Sequence, residues 1–224
     1  MPKRKVPLVN DEVYHIYNRS VAQQPIFRNK REYNIFTNLL EYYRFRDPPK
    51  RFSHYLRLNN EERIKLLDNL YSQNNFLVEI YAFCLMPNHY HLLLKQTSAN
   101  GIKNFIRLFQ NSYARYFNIK NKRFGSLFQS PFKAVRIETD EQFTHVARYI
   151  HLNPLTSYVL KDLLELKTYK FNSYIDYLLD NPRRFVNKDF LLNYFKNRIK
   201  FEKFTEDNLD YQRKLEIIKH ITIE

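Results

Sequence analysis

FLVEIYAFCLMPNHYHLLLKQ (residues 76–96) reads as two apolar runs joined by a turn. Residues 76–86 are rich in aromatic and aliphatic side chains, Pro87-Asn88 is a turn signal, and 89–96 is a second strand returning beside the first, so the stretch predicts a β-hairpin. Side chains alternate between the faces of a strand. His89, His91 and Leu93 therefore share one face, and Tyr90, Leu92 and Leu94 share the other. Two imidazoles side by side on one strand face suit a divalent cation, because both can converge on one point. Two ligands do not complete a site, and a hydrogen-bonded, partly buried histidine pair is the structural alternative.

Outward from the hairpin, EVYHIYNRS (12–20) reads as a strand and NKREYNIFTNLLEYYRF (29–45) as a helix, with Phe36, Leu39, Leu40 and Tyr43 at helical spacing. Residues 46–75 are polar, open on Pro48-Pro49 and read as an insertion carrying a short helix around 60–71. After the hairpin comes an amphipathic helix over 104–120, then a strand element over 126–137 interrupted at Pro131. A helix follows over 139–154, with Thr139 or Asp140 as its cap and Pro154 as its expected stop. Strand, helix, strand, strand, helix, strand is the order of a split βαβ, so an α+β ferredoxin-like antiparallel sheet with helices on its faces is expected. The expected domain covers 1–155, with a helical C-terminal extension over 156–224.

The chain has 224 residues, 44% of them hydrophobic, which is enough for a substantial core. Thirty-seven Lys and Arg against 23 Asp and Glu give a formal net charge of +14, an excess that favours a polyanionic partner, most often nucleic acid. A basic protein that needs its charge only for solubility is the bland alternative. The single cysteine, Cys84, excludes an intramolecular disulfide framework and a Cys-rich zinc site, and its apolar surroundings predict a buried thiol. Only Gly101 and Gly125 are glycines, so neither a P-loop nor a dinucleotide fingerprint exists. No apolar run approaches membrane-spanning length and the basic N-terminus lacks a signal-peptide core, so no membrane association and a cytoplasmic location are expected.

FCLMPNHYHLLL resembles the His-hydrophobic-His strand of HUH enzymes. With YHIYNRS (14–20), GSLFQSPFKAVRI (125–137), RYIHLNPL (148–155) and FNSYIDYL (171–178), the chain resembles the insertion-sequence 200-like transposases, and among them the REP-associated single-tyrosine enzymes. The resemblance implies metal-dependent cleavage and rejoining of single-stranded DNA at hairpin-bearing, palindromic elements through a 5′-phosphotyrosine. It assigns Tyr149 as nucleophile, His89 and His91 as metal ligands with Asn153 as the third, and Mg²⁺ or Mn²⁺ as the metal. The partner would be hairpin DNA and the protein a monomer or homodimer. His145, one helical turn before Tyr149, and His15, on the first strand, are candidates to support the site. Arg19, Lys133, Arg136 and Arg148 are candidate phosphate contacts. Tyr113 and Tyr116 sit at core-like spacing on the earlier helix and are set aside as nucleophiles. Two other readings compete: a catalytically silent nucleic-acid-binding module on the same fold, and a hydrolytic zinc enzyme, which would need a nearby Glu or third His that the sequence does not offer at a metal-binding spacing.

Overall fold

The computed structural model describes residues 7–207 and 209; the basic residues 1–6 and the charged tail 210–224 lie outside the described residues. In chain order the elements are β1 (Val13–Arg19), α1 (Lys30–Tyr43), α2 (Phe52–Tyr55), α3 (Asn60–Ser72), β2 (Val78–Met86) and β3 (His89–Gln96). They continue with α4 (Gly101–Lys120), β4 (Lys133–Ile137), α5 (Asp140–Thr156), α6 (Leu163–Thr168), α7 (Tyr174–Leu178), α8 (Asp189–Phe195) and α9 (Arg198–Glu206). The strands pair antiparallel in the order β2-β3-β1-β4, the α+β ferredoxin-like arrangement that the sequence implies. The hairpin closes with Met86 opposite His89.

Alternation along β3 divides the molecule. Tyr90 faces α1 and α4, where its ring meets Phe36 and Phe109 and its hydroxyl accepts from Gln110 Nε2 at 2.6 Å. That face carries a dense aromatic core in which Tyr113 is fully buried and donates its hydroxyl to Ile26 O. His91 points the other way, towards α5. Cys84 is buried, and burial pushes its thiol well above the ordinary value.

The expected strand over 126–137 is shorter, with β4 starting at Lys133 and Phe128 only bridging to Ser20. The expected stop at Pro154 is also displaced, because α5 runs on to Thr156. Pro154 has no N–H to offer Ile150 O, four residues back, which would normally end or kink the helix. Asn172 donates beside this gap: its Nδ2 bonds His151 O at 2.8 Å and lies 3.5 Å from Ile150 O. The segment bearing Asn172 is itself paired to the outer edge of β2, through Ser173 N to Phe83 O, Leu85 N to Phe171 O and, further along, Asn187 N to Ile80 O. The opposite edge, β4, is guarded by the exposed cations Lys133 and Arg136, a common way of keeping a sheet edge from pairing.

Beneath this brace lies His151, fully buried, with Nε2 3.0 Å from Ser173 Oγ and its ring against Tyr174, Tyr177 and Phe201. Burial pushes its pKa down to about 3. An unfolded histidine titrates near 6.5, so between the two values the unfolded chain binds the extra proton. The stabilisation is complete above about pH 6.5 and is lost as pH falls towards the folded value, at up to about 1.4 kcal/mol per pH unit. His151→Gln keeps a donor towards Ser173 and does not titrate. Denaturant unfolding at pH 7.5, 6 and 5 should therefore show a steeper loss for the natural protein than for the variant. Parallel curves would remove His151 from the acid sensitivity.

Candidate active site

In β1, His15, Tyr17 and Arg19 lie on the α5 side, opposite Leu93, His91 and His89 of β3, while His15 and Tyr17 also face Val135 and Lys133 of β4. A cleft of about 810 Å³ opens between this part of the sheet and the C-terminal half of α5, and His15, Tyr17, Arg19, Asn88, His89, His91, Lys133, Tyr149, Asn153 and Tyr158 all line it. The i, i+4 spacing of Tyr149 and Asn153 presents both from one helix face.

Hydrogen bonding fixes how His89 presents itself. Asn88 Nδ2 donates to Gln23 O at 3.1 Å, so its Oδ1, 2.7 Å from His89 Nδ1, accepts from that ring nitrogen. His89 Nε2 is left with its lone pair. Burial, and then the charge of Arg19, push the His89 pKa down to about 4 against an opposing influence from Asn153, so the ring is neutral near pH 7. His91 is buried, and its Nδ1 lies 2.9 Å from His15 Nε2. Burial pushes His15 down to about 4 as well, so His15 can act as a neutral acceptor. If His91 Nδ1–H donates to it, His91 Nε2 is also a lone pair, the tautomer a metal ligand needs. The ring of Tyr149 stands edge-on to His91 at 5.5 Å and to His15 at 5.9 Å, while Tyr17 stacks on His91 at 5.6 Å.

Asn153 is 2% exposed, and its Oδ1 is buried without a hydrogen-bond partner among the described residues. The amide is close enough to His89 to favour its protonated form, yet its oxygen makes no bond of good geometry. An orphaned buried acceptor costs about 1–3 kcal/mol, so its retention fits a role in binding. Two histidines whose Nδ1 atoms are occupied, beside an unsatisfied amide oxygen, fit a divalent cation that accepts mixed nitrogen and oxygen donors. Among the described residues no group of three or more His, Cys, Asp or Glu side chains could hold a metal; any site here depends on the amide.

The other candidates divide. Arg19 and Lys133 line the cleft. Arg136 instead makes a two-pronged bond to Glu12, at 2.6 and 3.1 Å. Arg148 is buried, with its guanidinium 4.4 Å from the centre of the Phe204 ring and Nη2 3.0 Å from His145 Nδ1. His145 and Arg148 thus turn towards α9 rather than into the cleft, which gives His145 the helix-packing role that was its alternative reading. Asn88 and Tyr17 were not singled out from the sequence. Tyr17 was findable, since it lies two residues from His15 on the same strand face, and Asn88 directly precedes His89.

The chain is similar to known proteins in one segment and in its fold. Residues 50–153 match the model of the family described as transposase IS200 like. A solved structure, "Structure of the REP associates tyrosine transposase bound to a REP hairpin", shares the fold with a TM-score of 0.51 at 13% identity, covering 84% of this chain and 90% of that one. No curated protein matches. No helix among the described residues is long and apolar enough to cross a membrane. Residues 50–153 thus resemble the IS200-like transposases, and the chain shares the fold of the hairpin-bound structure.

Proposed function

We propose that the protein cleaves and rejoins single-stranded DNA at hairpin-bearing elements, with Tyr149 as nucleophile and a divalent metal, Mg²⁺ or Mn²⁺, held by His89, His91 and Asn153. The observation that carries this reading is the convergence of those four side chains, from a strand and a helix, on one cleft. A bound divalent ion would supply charge stabilisation to the scissile phosphate. Tyr149 attacks phosphorus, forming a 5′-phosphotyrosine bond as the P–O3′ bond breaks. The phenolic proton is lost and the departing 3′ oxygen takes one up, leaving a free 3′-OH. Attack by a 3′-OH reverses the step, and the ester bond energy is conserved throughout. His15 and Asn88 hold the two ligand rings by their far nitrogens, and Arg19 and Lys133 neutralise flanking phosphates.

Hairpin DNA with single-stranded flanks should bind more tightly than a fully paired duplex of the same length, and the affinity should fall steeply with salt. Fluorescence anisotropy over a salt series measures both. Equal affinity for the two substrates would overturn the reading and leave a generic basic binder.

A further inference from the structure

Three tyrosines border the cleft, Tyr17, Tyr149 and Tyr158. The first two are half-buried, whereas Tyr158 is 67% exposed. Its backbone also holds an unfavourable conformation. The φ of Tyr158 is 55°, in the left-handed region where a side chain crowds the backbone.

The end of α5 imposes that conformation. The helix stops at Thr156 with Ser157 as its cap, and the next two amides turn back onto it. Tyr158 N bonds Leu155 O at 3.3 Å and Val159 N bonds Pro154 O at 2.9 Å. This pair of bonds is the Schellman ending, and the residue at Tyr158's place in it is usually glycine. Leu160 N adds a further bond to Pro154 O at 2.9 Å, which pins the turn. Glycine is scarce here, with two in the chain, so other residues fill such places. Yet among the described residues eight non-glycine positions have positive φ, and Tyr158 is the only aromatic one. Asp11, Asn74 and Asn100 are of types that tolerate the conformation. Scarcity of glycine explains a substitute at 158 but not a tyrosine. The helix ending has no use for a ring, and a ring largely in water adds little to the core.

The cleft does have a use for one. Arg19 and Lys133 line it and suit phosphates, whereas an exposed aromatic face, with the exposed Val135 in the same cleft, suits the flat surface of an unpaired base. In a duplex those surfaces are covered by neighbouring bases. From Tyr149 to Thr156 the axis of α5 runs about 10 Å at 1.5 Å per residue, so Tyr158 lies beside the nucleophile rather than over it.

We infer that Tyr158 determines specificity for unpaired DNA, its ring stacking on a base of the single-stranded flank next to the cleavage point. This rests on the reading under Proposed function and deepens it. The pinned turn holds the ring in place before DNA arrives, so little order has to be gained on binding. Stacking accepts any base, so Tyr158 selects the state of the strand and not its sequence.

The test measures the affinity of the full chain for a labelled hairpin with a single-stranded flank, with an abasic site moved one position at a time along the flank. For the natural protein, one position should weaken binding at least about fivefold, the lower end of what a stacked base contributes. Tyr158→Leu makes the same demand on the backbone without an aromatic face. It should lose that factor on the intact hairpin, and the abasic site at that position should cost it nothing more. Tyr158→Phe keeps the ring and should bind within about twofold of the natural protein. The salt slope should be the same in all of them, since no phosphate contact is removed. Tyr158→Gly suits the turn better, so its melting temperature should hold or rise by up to about 4 °C while its affinity falls as in Tyr158→Leu. Full affinity in Tyr158→Leu, or in Tyr158→Gly with a lowered melting temperature, marks a residue that serves only the fold and overturns this inference alone. Losses from Tyr158→Leu and from the abasic site that simply multiply overturn it too. A natural protein that binds hairpin and fully paired duplex equally overturns it together with the reading on which it rests.

Discussion

Tyr149→Phe should give a folded protein that forms no covalent adduct with DNA. The change removes one oxygen, and the ring keeps its edge-on packing against His91 and His15. The stability cost should stay near 1 kcal/mol, the net worth of a typical hydrogen bond. The chemical cost is far larger, because the atom that would bond to phosphorus is gone, and adduct yield should fall by at least about a thousandfold, to background. The assay incubates protein, Mn²⁺ and labelled hairpin DNA and looks for a protein–DNA species that survives denaturation. Tyr17 and Tyr158 also line the cleft, so Tyr17→Phe and Tyr158→Phe are the necessary controls, with Tyr113→Phe from the opposite side of the sheet as a third. Each should keep the adduct. An adduct lost in one of these and retained in Tyr149→Phe would move the nucleophile. No adduct from the natural protein on any hairpin tested would favour the silent binding module.

His91→Ala should abolish cleavage and Mn²⁺ binding together. With one imidazole gone the donor set falls to His89 and the Asn153 amide, and Mn²⁺ affinity should drop by about a hundredfold or more, at or beyond the upper range for loss of a supporting contact. Titration calorimetry reads this without any turnover. Asn153→Leu separates a ligand from a structural residue more sharply. Leucine of similar size removes the buried unpartnered oxygen, so the variant should be as stable as the natural protein or more so by about 1 kcal/mol, while losing metal affinity. A structural asparagine would give the opposite sign. Unchanged Mn²⁺ affinity in both variants would sink the metal assignment.

The central features were legible because they depend on short-range periodicity. His89 and His91 share a face since strands repeat every two residues, and Tyr149 and Asn153 share one since helices nearly repeat every four. The βαββαβ order followed from the same periodicities, read segment by segment. What escaped depends on residues distant in sequence. Pro154 signals a stop to any local reading, yet α5 continues to Thr156, with Asn172, eighteen positions on, bonded to the His151 carbonyl of its last turns. Arg148 and His145 look available until Phe204 is placed over them. Arg136 looks like a phosphate contact until Glu12, at the other end of the domain, arrives beside it across the β1–β4 pairing. Charge and spacing state what a side chain can do, whereas its neighbours in space decide what it does.

The pairing of residues 171–173 and 186–187 with β2 bears on how the protein can be cut down for study. A fragment ending at residue 155 would contain every side chain of the cleft except Thr156, Ser157 and Tyr158. It would also leave β2 as a bare edge, with Phe83, Cys84 and Leu85, all fully buried in the whole chain, newly open to water. Unpaired apolar edges recruit one another, so such a truncation should precipitate rather than yield a minimal enzyme. A shortened form fit for crystallisation or reconstitution has to extend beyond Asn187.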